Sequence, residues 1–271
     1  MPYIEDLEAH DYENKLEWNL NADQKIWRYM DIEQFLSLMH RSALRFGRAD
    51  LFADEFEGTV PRASDIPRDV HGILQRSPEI TNISCWHIAP AESMTMWEVY
   101  SNRGVVIEST VQRLRDSFCD DRKFSIQFAE VQYLDYTSET FEFFERTEDS
   151  FRGSYAKPFQ YKREYYIGEN EFRALTGPLA SEEFRKKVES GGYGNNKDWN
   201  KIVDKHKTPG LFVTVDLDEL LSNVVMSPYS STRDYQAVEK LAERKHDIGD
   251  LVKLSNTRTE GRAITYHRSS S

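Results

Sequence analysis

Residues 26–46 narrow the possible folds more than any other part of the chain. Ile26-Trp27-Arg28-Tyr29-Met30 has the composition of a short strand. Asp31 can cap a helix, with Gln34 three residues on in capping-box position. Ile32, Phe35, Leu36 and Met39 then recur at i, i+3, i+4 and i+7, an apolar stripe along one helical face. The stripe gives out near Ser42, and Leu44-Arg45-Phe46 begins a second strand. A loop over 50–61 follows, carrying Phe52, Asp54, Glu57 and Gly58.

Further on, strands are predicted at Asn82–His87, Gly104–Ile107, Ser125–Tyr136, Leu211–Val215, Val224–Met226, Leu251–Leu254 and Ala263–His267. Helices are predicted from Pro90 to Ser101, over Val111–Phe118, over the acidic stretch Glu139–Phe151, around Asp218–Leu221 and over Arg233–Lys245. The slip in alternation between Phe128 and Val131 suggests a bulge. Strands outnumber helices and alternate with them irregularly. That pattern predicts an α+β fold: a single domain over 26–268, its mixed or antiparallel β-core flanked by helices. Residues 1–25 read as an acidic N-terminal arm, and 181–210, polar with a glycine-rich centre, as a lid-like insertion.

Composition removes several function classes. The 271 residues include 14 Tyr, 15 Phe and 5 Trp, too aromatic for a disordered chain. The net charge of −11 disfavours capture of bulk nucleic acid, which needs surplus Lys and Arg against phosphate, although a local basic groove stays open. The two cysteines, Cys85 and Cys119, lack metal-ligand spacing and are expected reduced. No metal site is expected. The acidic start lacks the apolar core of a signal peptide, and no run approaches the roughly 18 apolar residues of a membrane span, so a cytosolic protein is expected. Neither a Gly-x-Gly-x-x-Gly nor a Walker loop is present.

The stretch Arg163–Leu175 holds the densest chemistry. On an extended strand Glu169, Glu171 and Arg173 share one face, while Phe172 and Ala174 take the other and pack inward. Such a row reads either as a solvated edge strand or as a site. Arg28, between two aromatics, reads either as a surface arginine covering apolar neighbours or as a binding group. Ser93, Trp97 and Tyr100 fall on one helical stripe, more in keeping with core than with a ligand platform. Asp54 and Glu57 fit loop-ordering carboxylates better than metal ligands, and His87, with no second ligand nearby, reads as structural.

Several of these pieces, in order and spacing, resemble a family. WRYMDIEQFLSLMHRSALRFGRADLFADEFEG, then SCWH, MWEVYSNRGVVIEST, Glu169-x-Glu171-x-Arg173 and VDLDELLSNVVMSP are similar to the bacterial domain of unknown function 2971, over roughly residues 26–256. More distantly, Arg28 on a first strand, Ser84-Cys85-Trp86 on a second and Glu171 on a third resemble ADP-ribosyltransferase-like domains, with Ser-Cys-Trp in place of the usual Ser-Thr-Ser. That likeness implies a split β-core and an enzyme that takes NAD as substrate. It would transfer ADP-ribose to a macromolecular acceptor, protein or nucleic acid, or hydrolyse NAD, in a toxin or antiviral-defence setting with an antitoxin or regulatory partner. It implies that Glu171 holds the ribose and its developing positive charge, that Glu169 orients the nucleophile or takes its proton, and that Arg28 grips pyrophosphate or ribose. Tyr29 or Trp86 would stack on the nicotinamide, with Ser84, Tyr100 and Arg173 also toward the cofactor. Two rival readings are a catalytically inactive binding or regulatory module of the same fold, and a phosphoester hydrolase using Asp54, Glu57 and His87.

Overall fold

A computed structural model describes residues 21–62, 64, 68–101, 103–119, 126–140, 144–146, 151–153, 156–177, 196–246 and 248–257. Strands are β1 (Lys25–Met30), β2 (Ala43–Arg48), β3 (Asn82–Ile88), β4 (Val105–Thr110), β5 (Ile126–Glu130), β6 (Gln132–Leu134), β7 (Phe144–Arg146), β8 (Phe151–Gly153), β9 (Tyr161–Arg163), β10 (Glu171–Thr176), β11 (Leu211–Thr214), β12 (Asn223–Met226) and β13 (Val252–Leu254). Helices are α1 (Ile32–Arg41), α2 (Arg68–Arg76), α3 (Met94–Tyr100), α4 (Val111–Asp116), α5 (Asn196–His206), α6 (Leu217–Leu220) and α7 (Thr232–His246). The chain is α+β, with antiparallel and parallel strand pairs and flanking helices.

Residues gather into two compact units, each drawn from several stretches of chain. The first comprises stretches within 44–85 and 120–213. In it β2 pairs antiparallel with β3 through Gly47↔Ile83 and Arg48↔Asn82, β11 adds to β2, and β10 joins β3 to β5. A core of Ile73, Leu74, Ile80, Ile83, Phe159, Leu175, Trp199 and Val203 fills this unit. Helix α2 meets α5 there, tied by Arg76, which donates to Asn200 at 2.8 Å and to Asp204 at 3.0 Å.

The second unit comprises stretches within 21–43, 86–119 and 214–257. Six-residue pairing of β1 with β4, from Lys25↔Thr110 to Met30↔Val105, forms its centre. β4 pairs antiparallel with β12, and β12 runs parallel to β13. The capping reading of α1 is realised: Asp31 accepts from the Gln34 N–H at 2.7 Å, and Ser42 closes the helix in the left-handed region with φ 46°. Buried Glu108 on β4 is answered by the Lys25 ammonium at 2.7 Å and the Asn223 amide at 2.6 Å.

Several expectations are corrected. The acidic stretch 139–151 is no helix over its described part; Phe144–Arg146 and Phe151–Gly153 pair as an antiparallel ribbon, in keeping with the strand preference of its phenylalanines. The bulge near Phe128–Val131 is a full break: β5 pairs with β10, whereas β6 pairs parallel with β9. Pro90 precedes α3 without opening it, since Ser93 is the cap and accepts from the Met96 N–H. Of the stripe read as core, Trp97 is fully buried but Tyr100 is exposed. The lid-like insertion falls within the described residues only from 196 onward, and there α5 buries Trp199 and Val203. Residues 1–20, 181–195 and the strand expected at 263–267 lie outside the described residues.

Candidate functional site

Glu171 opens β10, and the reason the strand begins there is local. Residues Glu164–Glu169 form a 3-10 stretch, and Asn170 ends it in the left-handed region with φ 39°, which asparagine tolerates better than most residues. The expected row of Glu169, Glu171 and Arg173 on one strand face is therefore corrected: only Glu171 and Arg173 belong to the strand. Nor is that strand a solvated edge. It pairs with β5 in the register Phe172↔Glu130 to Thr176↔Ile126 and also with β3, and every residue of it is buried. Phe172 and Ala174 do pack inward, with Phe172 stacked on Phe128 at 6.1 Å between ring centroids.

Arg173 is 0% exposed, and an unanswered guanidinium there would be very costly. Its five N–H donors are all used. Nε and Nη2 donate to Glu171 Oε2 at 2.9 and 2.6 Å. Nη1 and Nη2 donate to the two oxygens of Glu57 at 2.6 and 2.9 Å, a bidentate pair, and Nη1 also donates to the Phe159 carbonyl at 2.6 Å. Arg173, expected toward the cofactor, thus directs its fork inward and positions two carboxylates.

Lys162 on β9 completes the cluster. Its ammonium donates to the Glu169 carboxylate and lies 3.6 Å from Glu171. Glu169 is thereby held near Glu171 from the turn, by a cation that sequence reasoning did not single out. The Glu171 N–H donates to the Tyr133 hydroxyl at 2.9 Å, which fixes the start of the strand. From β3, Cys85 lies within electrostatic reach of this acid.

The loop 50–61 joins from the other side. Asp54 orders its own loop by accepting from the Phe56 N–H at 3.0 Å, as expected, and also pairs with Arg163 at 2.6 Å. Glu57 is given over to Arg173. Gly58 has φ 71°, and a Cβ there would meet Phe159 at 2.2 Å, so glycine is needed for this close approach.

Electrostatics follow from burial and these partners. Burial alone raises the Glu171 carboxyl, but Arg173, Lys162 and the Cys85 thiol together outweigh it and hold it below the usual carboxylate range. At Glu57 burial wins, and the carboxyl is pushed up despite Arg173. Burial, then the Glu171 charge, pushes the Cys85 thiol well up, so it stays protonated and is no nucleophile near neutrality. Lys162 is pulled down by burial but pushed up more by Glu171 and Glu169. Counting Glu57, Glu169 and Glu171 against Lys162 and Arg173 leaves one surplus negative charge when all are ionised. The cluster can therefore hold a fixed, largely desolvated carboxylate and favour a neighbouring positive charge.

The remaining sequence candidates are placed as follows. Ser84 is fully buried in the first unit. In the second unit, the Arg28 guanidinium lies 5.8 Å from the Trp86 ring centroid. Trp86 is buried, which corrects the expectation that it offers a free stacking face. The Tyr29 hydroxyl accepts from the Ser93 N–H at 2.6 Å, its ring sits edge-on to Trp97, and burial pushes its pKa up to about 12. His87 is buried there, its ring 6.4 Å from that of Tyr29. Among the described residues no group of three His, Cys, Asp or Glu side chains is gathered as a metal site, and no helix is long and apolar enough to cross a membrane.

Comparison with protein-family models, curated proteins and solved structures finds no match to this chain.

Proposed function

We propose that the chain is an NAD-consuming enzyme of ADP-ribosyltransferase-like type, with Glu171 as the carboxylate that faces the ribose. The observation that carries the reading is the setting of that carboxylate: held below the usual range, fixed by Arg173, and in a cluster that carries one surplus negative charge when all its groups are ionised. Breaking the bond between ribose C1′ and the nicotinamide nitrogen leaves positive charge on the ribose ring, and a preorganised carboxylate stabilises that charge as it forms. Nicotinamide departs neutral, and an acceptor or water adds at C1′ and gives up its proton. Glu169, which shares the Lys162 ammonium with Glu171, would receive it. The order of Arg28, Ser84 and Glu171 along the chain supports the same reading through its resemblance to ADP-ribosyltransferase-like domains. Arg28 belongs to the second unit and carries no part of the charge argument.

A second reading, a binding or regulatory module without catalysis, is favoured by one observation: Arg173 spends every donor inside the protein, as a purely structural arginine would. Incubation with NAD labelled in its adenylate half separates the two. Label on a macromolecule marks transfer and free labelled ADP-ribose marks hydrolysis. Calorimetric uptake of NAD without either product, or no uptake at all, leaves the binding-module reading.

A further inference from the structure

Next to the Glu171 cluster lies a surface that neither the fold nor the proposed chemistry uses. Tyr165 and Ile167, on the 3-10 stretch leading into β10, are 80% and 65% exposed, the two most exposed large apolar side chains among the described residues. Phe56, from the loop carrying Asp54 and Glu57, is 47% exposed. Arg163 joins loop and turn: its guanidinium pairs with Asp54, lies 4.2 Å from the Phe56 ring centroid and 5.5 Å from that of Tyr166. The Lys162 ammonium lies 4.5 Å from the Tyr166 centroid. The Phe56 and Tyr166 rings thus already stack with the protein's own cations.

Charge decides what else it takes. Lys162 and Arg163 are answered by Glu169 and Asp54, whereas Glu55 and Glu164, next in sequence to Phe56 and Tyr165, are exposed. The ledge is aromatic and acidic, on a chain of net charge −11. Exposed apolar side chains beside exposed carboxylates offer a cationic partner both contact surface and charge. Phosphate backbones need surplus Lys and Arg, which the ledge does not present. A guanidinium is planar and weakly hydrated, stacks on aromatic faces and pairs with carboxylates.

We infer that this ledge docks an arginine-bearing segment of a partner protein. Tyr165, Ile167, Glu55 and Glu164 take no part in the proposed NAD chemistry, and the inference survives if that chemistry fails. The test is fluorescence anisotropy of the whole chain with three labelled probes: a peptide alternating Arg and Ser, its Lys-for-Arg counterpart, and a single-stranded oligonucleotide. The arginine peptide is expected to bind about threefold or more tighter than the lysine peptide, because the exposed Tyr165 ring favours guanidinium over ammonium. The double variant Tyr165→Ala/Ile167→Ala, with its melting temperature unchanged, should weaken arginine-peptide binding about tenfold or more. Glu55→Lys with Glu164→Lys should remove the salt-sensitive part of the affinity. Equal affinity for the two peptides, undiminished binding by the Tyr165→Ala/Ile167→Ala variant, or preference for the oligonucleotide would overturn the inference.

Discussion

Arg173 is the residue on which the first unit's polar interior depends. Replacing it by alanine leaves Glu57 and Glu171 buried without their shared cation, and should cost about 3–5 kcal/mol of unfolding free energy in urea melts. Arg173→Lys should recover only part, because an ammonium cannot make the bidentate pair with Glu57 and still reach the Phe159 carbonyl. A loss below about 1 kcal/mol for the alanine variant would mean that the cluster contributes little to stability. Acid dependence is clearest at Glu79, which Arg76 foremost, and Lys207 after it, hold at about 2 from an ordinary 4.5. A carboxyl lowered on folding stabilises above its unfolded value, and that share is lost as pH falls toward the folded one. Because Glu79 is partly exposed, Glu79→Gln should cost no more than about 1 kcal/mol at neutral pH. The difference from the unaltered protein should close between pH 4.5 and about 2. Glu171 acts in the same sense, whereas Glu57, raised on folding, opposes it.

At the scale of elements, α5 is the sharpest departure from a surface lid. Trp199 is almost fully buried against the core of the first unit, so Trp199→Ala should cost about 3–5 kcal/mol in thermal or denaturant unfolding. An insertion lying loosely on the surface would lose almost nothing. What could be read beforehand divides by range of interaction. The β1–α1–β2 run was legible because its signals are local: a cap, an apolar stripe and the end of that stripe near Ser42. The stretch 139–151 misled because acidic residues among phenylalanines also fit a helix, and only pairing between Phe144–Arg146 and Phe151–Gly153 decides for strand. At the site, Glu171 and Arg173 were found by alternation. Glu169 was misplaced because the left-handed turn at Asn170 does not show in the pattern. Glu57 escaped as a partner because it meets Arg173 from 116 residues away. Lys162 escaped because its pairing depends on how β9 and the turn fold back together.

For the whole molecule, the two units draw on interleaved stretches of chain, so no simple cut between consecutive segments isolates either one. The Glu171 cluster and the aromatic ledge both belong to the first unit, and the charge argument needs nothing from the second. The net charge of −11 favours encounter with partners of opposite sign, and an anionic dinucleotide would have to be held by a few placed groups. On the proposed reading, the Glu171 charge is what a forming ribosyl cation meets. Nicotinamide release from NAD by the unaltered protein and by Glu171→Gln, with both melting curves in hand, tests it most directly. The account predicts release that falls by about a hundredfold or more in the folded variant. Equal release from the two, or none from the unaltered protein with candidate acceptors present, would contradict it.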